Sequence, residues 1–259
     1  MTSNGHPDGV RPRWSVVVPY YNEAAGFLEP TLRSLVTQTP RPLTLILIDN
    51  DSTDGSSAIA RAVTDGIPSV TTLHLVERRP GQVYALETGL AAVESEFVAV
   101  CDADTLYPPH YLEHAAALFD RHGPRVIAVL AMGVGADPNR LSARIKRWKG
   151  LVLSYVLKNQ AHTGGYAHCF RTSDLRAAGG YSKRYWPYLL KDHDLIHRVL
   201  KRGRPSIIPV NGANHPSAGW IVRRFVGRYV NASSNTSRRM RRKIGSFIAF
   251  LRADLRAAV

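Results

Sequence analysis

Acidic and hydroxyl side chains follow several short apolar runs of the sequence, at the point where each run ends. Pro19-Tyr-Tyr-Asn-Glu23 follows the first run, Asp49-Asn-Asp-Ser-Thr-Asp-Gly55 the second, and Asp102-Ala-Asp104 the fourth. Carboxylates that converge on one edge repel one another unless a cation lies among them. Mg²⁺ and Mn²⁺ prefer oxygen ligands, and Mg²⁺ usually binds through one or two carboxylates plus phosphate groups. The clusters therefore indicate a divalent metal with a phosphate-bearing ligand.

Two interpretations of these acidic turns stay open. In an extended Asp-X-Asp both side chains fall on one face, so that one carboxylate can hold the metal while the other accepts from a ribose hydroxyl or a water. Asp and Asn in turns also bond their own backbone, and the stretch 49–54 fits that interpretation equally well. The order of the clusters, each at the end of an apolar run, favours a shared ligand site.

The apolar runs have the length of β-strands and alternate with helical patterns. Strands are predicted at 15–18, 43–48, 70–76, 97–100, 126–130 and 206–210, and helices at 29–37, 57–64, 83–93, 109–121 and 192–202. Strands that alternate with helices form βαβ units, in which ligands bind at the carboxyl ends of parallel strands. The predicted fold class is α/β and Rossmann-like, with a mostly parallel central sheet flanked by helices.

Composition divides the chain into three predicted parts. Residues 1–13 form a flexible leader, 14–216 a folded domain, and 217–259 a basic helical tail. The formal net charge is +14, and the tail holds ten basic residues against the single acid Asp254. Such a block suits a polyanion, which could be nucleic acid, anionic lipid or a charged substrate.

The same composition excludes several classes of protein. At 44% hydrophobic and 21% charged residues, wholesale disorder is excluded. No apolar run reaches the roughly 18–20 residues of a membrane span, and 1–13 lacks the apolar stretch of a secretory signal. The two cysteines, Cys101 and Cys169, cannot form a disulfide framework. We therefore expect a cytoplasmic protein that is soluble or peripheral to a membrane.

Four motifs, in order, resemble the signatures of the family 2 glycosyltransferases of the GT-A fold. They are Val16-Val-Val-Pro-Tyr-Tyr-Asn-Glu23, Ile48-Asp-Asn-Asp-Ser-Thr-Asp-Gly-Ser56, Val100-Cys-Asp-Ala-Asp-Thr105 and Lys191-Asp-His-Asp-Leu195. The similarity extends from about residue 14 to 211. It implies that 14–216 is a catalytic domain, with a nucleotide-binding half at about 14–105 and an acceptor-binding half at 106–216. Members of the family are mostly inverting enzymes that use a nucleotide-diphosphate sugar, such as a UDP- or GDP-sugar, and Mn²⁺ or Mg²⁺. The Gln-X-X-Arg-Trp signature of processive relatives is absent, so the resemblance implies transfer of one sugar per encounter.

The resemblance also implies roles for individual residues. Tyr21 and Asp49 would border the nucleotide base, Asp102 would lie by the ribose and the metal, and Asp104 would bind the metal. The implied donor-binding set is Pro19, Tyr21, Glu23, Asp49, Arg79, Gln82, Asp102 and Ala103. Asp192 is the implied catalytic base, with a plain helix N-cap as the alternative. His215 is a candidate further metal ligand, and a loop histidine with no such role is the alternative.

Two residues depart from the family pattern. Asn50 stands where many relatives carry a second aspartate, and Lys191 replaces the glutamate that usually precedes the catalytic aspartate. A cation next to a carboxylate favours the ionised form, which preserves a base although it weakens it. Because of Lys191, a non-catalytic member of the family is also an open interpretation.

The basic tail, 217–259, offers an indication of the acceptor class. A helix at 238–258 with an apolar stripe and a cationic flank can lie in a membrane interface, which would favour a lipid or lipid-linked glycan acceptor. An ordinary helix packed on the domain fits the same pattern. Two other classes of function compete with the transferase: a basic protein that binds nucleic acid or an anionic surface, and a nucleotidyltransferase.

Overall fold

The structure is a computed structural model that describes residues 12–134, 167–182 and 191–211. Its strands are β1 Trp14–Tyr20, β2 Leu43–Asp49, β3 Val70–Val76, β4 Phe97–Cys101, β5 Val126–Val134, β6 Ala167–Arg171 and β7 Arg204–Asn211. Its helices are α1 Leu28–Val36, α2 Ser56–Thr64, α3 Gln82–Ala91, α4 Tyr111–His122, α5 Thr172–Ala177 and α6 Lys191–Leu200, with a 3₁₀ turn at Gly123–Arg125.

The strands form one sheet in the order β3-β2-β1-β4-β6-β5-β7. β1 pairs in parallel with β2 and β4, and β2 pairs in parallel with β3. In this register Tyr20 lies opposite Asp49, and Asp49 lies opposite Val76. The turns that follow β1, β2, β3 and β4 therefore leave the same edge of the sheet, the carboxyl edge. The predicted mostly parallel α/β sheet is confirmed.

One strand runs against its neighbours. β6 pairs antiparallel with both β4 and β5, so that Ala167 lies opposite Cys101 and Arg171 lies opposite Phe97. β6 begins beside the end of β4, at the carboxyl edge. Sequence patterns predicted neither β6 nor α5, because the run Ala-His-Cys-Phe-Arg contains no β-branched residue and does not alternate in polarity. Burial on both faces of the sheet stabilises this strand instead.

Hydrophobic side chains cover both faces of the sheet. On one face α1, α2 and α4 pack over a cluster centred on Trp14, Phe97 and Phe119, whose ring centroids lie 4.5–6.1 Å apart. On the other face α3, α5 and α6 cover a second cluster. Successive residues of β1 alternate between the two, with Val16 in the first and Val17 in the second. This explains why the strands have nearly continuous apolar sequences.

Close packing fixes the position of α3 on the sheet. A Cβ atom at Gly89 would lie 2.5 Å from Ile48 Cδ1 and 2.8 Å from Val17 Cγ1, so a larger residue would push the helix away from β1 and β2. The first residue of the helix, Gln82, is thereby held at the carboxyl edge.

Several predicted segments lie outside the described residues: His215, the tail 217–259, the helix at 238–258 and the leader apart from Pro12 and Arg13. Arg13 donates to Glu96 and Asp120, and its carbonyl accepts from the amide of Phe97. Among the helices in the described ranges, none is both long enough and apolar enough to cross a bilayer.

Candidate active site

Asp49, at the end of β2, organises the turn that follows it. Its Oδ1 accepts from the amide of Ser52 at 2.7 Å, and its Oδ2 accepts from the hydroxyl of Ser57 in α2. The residue is only 5% exposed. The bond to the Ser52 amide is the kind expected if Asp49 stabilises its own turn. The bond to Ser57 connects the end of β2 to the first turn of α2.

The turn after β1 is bonded to the turn after β2. Asn22 has a positive φ of 50°, and its Oδ1 accepts from the amide of Thr53 at 2.8 Å. The amide of Glu23 donates to Ser56 Oγ at 2.8 Å. Pro19 lies within β1 opposite Ile48. Tyr21, in the turn that follows β1 at the carboxyl edge, is 45% exposed.

Asn50 braces the loop between β3 and α3. Its Nδ2 donates to the carbonyls of Glu77 and Arg79 at 2.7 and 2.8 Å, and its Oδ1 accepts from the amide of Gly81 at 2.9 Å. An aspartate has no N–H to donate to two carbonyls. The departure from the family pattern at this position therefore has a structural reason, since the side chain is used inside the loop.

Arg79 is held at the carboxyl edge by a buried carboxylate. Glu77 accepts from the amide and the Nε of Arg79, both at 2.8 Å, and from Thr88 Oγ1 at 2.5 Å. These bonds hold the pKa of Glu77 well below its usual range. The guanidinium also lies 4.7 Å from the ring centroid of Tyr84 and remains half exposed. A fixed, accessible cation of this kind suits a phosphate group.

The start of α3 meets the end of β4. Gln82 Nε2 donates to Asp102 Oδ1 at 3.2 Å. Asp102-Ala-Asp104 forms a turn after β4 and not the expected extended segment, and Ala103, predicted to bind the donor, is buried in the hydrophobic core. Two predicted donor-binding residues, twenty positions apart in sequence, are thus in contact.

Asp192, in the first turn of α6, is held by two side chains. Its Oδ1 accepts from the hydroxyl of Tyr181 at 3.2 Å, and its Oδ2 accepts from Lys191 Nζ at 2.7 Å. Both partners of the ion pair are less than a fifth exposed. Tyr181 was not predicted, because an isolated tyrosine eleven residues before Asp192 belongs to no motif. Its role is visible only from the packing.

Asp194, by contrast, has a structural role in α6. Its Oδ2 accepts from Arg198 Nε at 3.1 Å and from Nη2 at 2.8 Å, and Arg198 also donates to the carbonyl of Gly180 at 2.7 Å. The pair fastens α6 to the turn that follows α5, and it thereby fixes the end of the helix that carries Asp192.

Asp102 brings these groups into one site. The pKa of Asp102 is raised to about 7, chiefly by burial; Lys191 and Gln82 lower it, and the charges of Asp104 and Asp192 raise it. The charges of residues from the end of β4 and the start of α6 therefore act on one carboxyl group. Of the acidic groups singled out in the sequence, Asp104 and Asp192 act on Asp102, whereas Asp49 bonds Ser52 and Ser57 beside its own turn.

This collection of groups fits a divalent cation. Two further carboxylates, those of Asp104 and Asp192, act on the carboxyl group of Asp102, and such a group of acids is stabilised by a cation. Within the described ranges no three His, Cys, Asp or Glu side chains are arranged to hold a metal by themselves. The protein can therefore offer one or two carboxylates, from Asp104 and Asp102, and phosphate oxygens would complete the coordination, as is usual for Mg²⁺.

Sequence comparison relates the chain to known transferases. Residues 15–177 match the profile of the family Glycosyl transferase family 2. An uncharacterized glycosyltransferase of Nostoc sp. is 30% identical over 156 residues, which are 60% of this chain and 47% of the relative. The undecaprenyl-phosphate 4-deoxy-4-formamido-L-arabinose transferase of Pseudomonas aeruginosa is 30% identical over 160 residues, 60% of this chain and 43% of the relative. The chain spans about half the length of these relatives.

The fold of the chain is also similar to that of a solved glycosyltransferase. A mannosyltransferase of Pyrobaculum calidifontis, solved in complex with GDP-Man and Mn²⁺, superimposes with a TM-score of 0.66 at 26% sequence identity, over 86% of this chain and 64% of the other. The profile match covers more than half of the chain and runs from β1 through α5, the elements that carry Asp49, Gln82 and Asp102. Sequence, topology and the convergent acidic edge agree, and the chain belongs to glycosyltransferase family 2, with the GT-A fold.

Proposed function

We propose that the protein moves one sugar from a nucleotide-diphosphate sugar to a hydroxyl acceptor with inversion, using Mn²⁺ or Mg²⁺ held by Asp104. The observation that carries this proposal is the meeting of Asp102, Asp104, Asp192 and Lys191 at the carboxyl edge. The complex of the Pyrobaculum relative with GDP-Man and Mn²⁺ supports it. UDP- and GDP-sugars are the donor classes to test first.

The donor would lie along the turns of the carboxyl edge. The exposed ring of Tyr21 offers a face for stacking a base, next to the turn that Asp49 holds. Gln82 and Asp102, which are bonded to each other, would bind ribose hydroxyls. Arg79, which is half exposed on the neighbouring loop, would bind a phosphate group. His215 is a further candidate ligand of the metal in this proposal.

Asp192 would act as the general base. As the acceptor oxygen forms its bond to the anomeric carbon, the bond from that carbon to the diphosphate oxygen breaks, and the electron pair leaves with the diphosphate. The acceptor proton passes to Asp192, whose carboxylate Tyr181 and Lys191 hold in one orientation. A bound divalent cation supplies positive charge to the departing diphosphate.

A panel of UDP-, GDP- and dTDP-sugars with Mn²⁺ or Mg²⁺ tests this proposal, scored by donor binding and by sugar transfer or hydrolysis. We expect Asp104→Ala to abolish metal-dependent donor binding, and Asp192→Asn to keep donor binding but lose transfer. Asp120→Asn is the matched control, because Asp120 pairs with Arg13 away from this edge. Wild-type transfer by Asp192→Asn would remove Asp192 from the mechanism.

The acceptor in this proposal is a lipid or lipid-linked glycan at the inner face of a membrane, met by a cytoplasmic, peripheral enzyme. Two observations support it: the Pseudomonas relative is named as an undecaprenyl-phosphate transferase, and 217–259 is strongly basic. We expect sedimentation with vesicles that contain anionic lipid, weaker sedimentation with neutral vesicles, and loss of binding on deletion of 238–259. Equal partitioning of the full-length and shortened chains would contradict the membrane part of the proposal.

A further inference from the structure

The loop between β4 and α4 carries both Asp102 and Asp104. Residues 102–110 contain turns but no helix or strand, so no sheet or helix ladder holds their backbone. A loop that presents charged ligands must nevertheless be held rigidly, because repulsion between its carboxylates tends to spread them apart. The groups that hold this loop are therefore of functional interest.

Side chains from α1 and the turn after it supply bonds to the loop. Ser34 Oγ accepts from the amide of Tyr107 at 3.1 Å. Gln38 is fully buried, and its Nε2 donates to the carbonyl of Pro108 at 2.7 Å while its Oε1 accepts from the amide of Leu112 at 3.2 Å. A buried amide that donates at one end and accepts at the other has a single orientation. Gln38 thus joins the loop to the first turn of α4.

Tyr107 bonds the start of the loop, where Asp102 lies. Its hydroxyl donates to the carbonyl of Asp102 at 3.3 Å and also contacts the Cys101 thiol. The ring is buried and packs against Tyr111 at a centroid distance of 5.4 Å. The chain of bonds therefore runs from α1 to the backbone of Asp102, and it includes Ser34 Oγ, the Tyr107 amide and the Tyr107 hydroxyl.

We infer that Ser34, Gln38 and Tyr107 are positioning residues, which fix the Asp102-Ala-Asp104 segment so that it binds the metal and the donor diphosphate. This inference rests on the proposed function of that segment. None of the three touches the donor in this scheme. They act through the backbone of the loop, as outer-shell groups do when they orient metal ligands.

Tyr107→Phe tests the inference against a matched control, Tyr111→Phe. Both tyrosines are buried and both hydroxyls contact a cysteine thiol, Cys101 or Cys169, but only that of Tyr107 bonds the loop carbonyl. Binding of UDP or GDP with Mn²⁺ is measured by calorimetry beside the Tm of each variant. We expect Tyr107→Phe to weaken nucleotide binding about threefold to tenfold. We expect Tyr111→Phe to lower Tm by a similar amount but to leave nucleotide binding nearly unchanged.

Hydrogen exchange without ligand gives a second, independent test. We expect Ser34→Ala to speed amide exchange in 102–110, since the Tyr107 amide loses its acceptor. Thr37→Ala is the control, because the Thr37 hydroxyl donates only to carbonyls of α1. We expect Gln38→Glu, which loses the bond to Pro108, to speed exchange in the same residues.

The outcomes separate this inference from the function on which it rests. If the wild-type chain binds no nucleotide with Mn²⁺, the proposed function fails and the inference fails with it. If the wild type binds and Tyr107→Phe matches Tyr111→Phe in affinity, only the inference is overturned. Unchanged exchange in Ser34→Ala would overturn it as well.

Discussion

At the scale of single residues, Asn50 links two turns of the active site through three hydrogen bonds. We expect Asn50→Asp to lower the free energy of unfolding by about 1–3 kcal/mol, because the carbonyls of Glu77 and Arg79, the first in a buried bond, lose their donor and face a carboxylate instead. Urea unfolding measures this change. Asn22→Asp is the matched control, since Asn22 Oδ1 accepts from Thr53 and an aspartate keeps that bond. Equal losses in the two variants would contradict the role given to Asn50.

Tyr181 allows a kinetic prediction about the proposed base. Tyr181→Phe removes the hydroxyl that donates to Asp192 Oδ1, so the carboxylate loses one of two orienting bonds. We expect kcat to fall about threefold to tenfold while the KM for the donor stays the same. Tyr20→Phe, which removes a long contact of 3.5 Å to Ser57, serves as the control. A rise in donor KM with unchanged kcat would mean that Tyr181 serves donor binding instead.

The sequence predicts some of these residues and not others, for a physical reason. Asp102, Asp104 and Asp192 stand in motifs whose order and position after strands can be seen in the chain itself. Tyr181 and Gln38 act only through the bonds they make with elements distant in sequence. No periodicity or spacing encodes such contacts, so they appear only when the chain is folded.

At the scale of elements, the β3–α3 loop depends on an ionised carboxylate. The pKa of Glu77 is lowered in the folded state by Arg79 and Thr88, so its stabilising contribution is present above the unfolded pKa of about 4.3 and is lost as the pH falls toward the folded value. We expect Glu77→Gln to destabilise the protein at about pH 7 and to do so much less at about pH 3.

Urea unfolding of both proteins across this pH range measures the difference. Glu29→Gln is the control, because Glu29 forms an exposed ion pair with Arg33 on α1, and such pairs contribute little. A gap between wild type and Glu77→Gln that stays constant down to about pH 3 would show that Glu77 acts through packing and not through its charge.

The elements themselves could largely be predicted. The predicted strands at 43–48 and 70–76 agree with β2 Leu43–Asp49 and β3 Val70–Val76, because β-branched and leucine residues fill both faces of each strand. β6 was missed because its five residues are stabilised by their neighbours and not by their own propensity. The amphipathic spacing of Leu28, Leu32 and Leu35 made α1 predictable within one residue at each end.

At the scale of the whole molecule, ligand binding is linked to unfolding. A nucleotide diphosphate with Mn²⁺ that binds only the folded chain, at about a hundred times its Kd, contributes about 2.7 kcal/mol. We expect this to raise Tm by about 5–10 °C for a chain of 259 residues. EDTA should abolish the rise, and Asp104→Ala should show none. A nucleotide-dependent rise that survives EDTA would contradict metal-dependent binding.

The direction of β6 separates the effects of substitutions at its two ends. Its first residue, Ala167, enters the sheet beside the end of β4, at the carboxyl edge. Its last residue, Arg171, donates to the carbonyls of Val126 and Gly123 at the opposite edge. Substitutions at Ala167 therefore act at the edge where the loop of Asp102 begins, whereas substitutions at Arg171 remove hydrogen bonds at the opposite edge. Because one reversed strand of five residues joins the two edges, changes at its two ends are separated by the length of that strand.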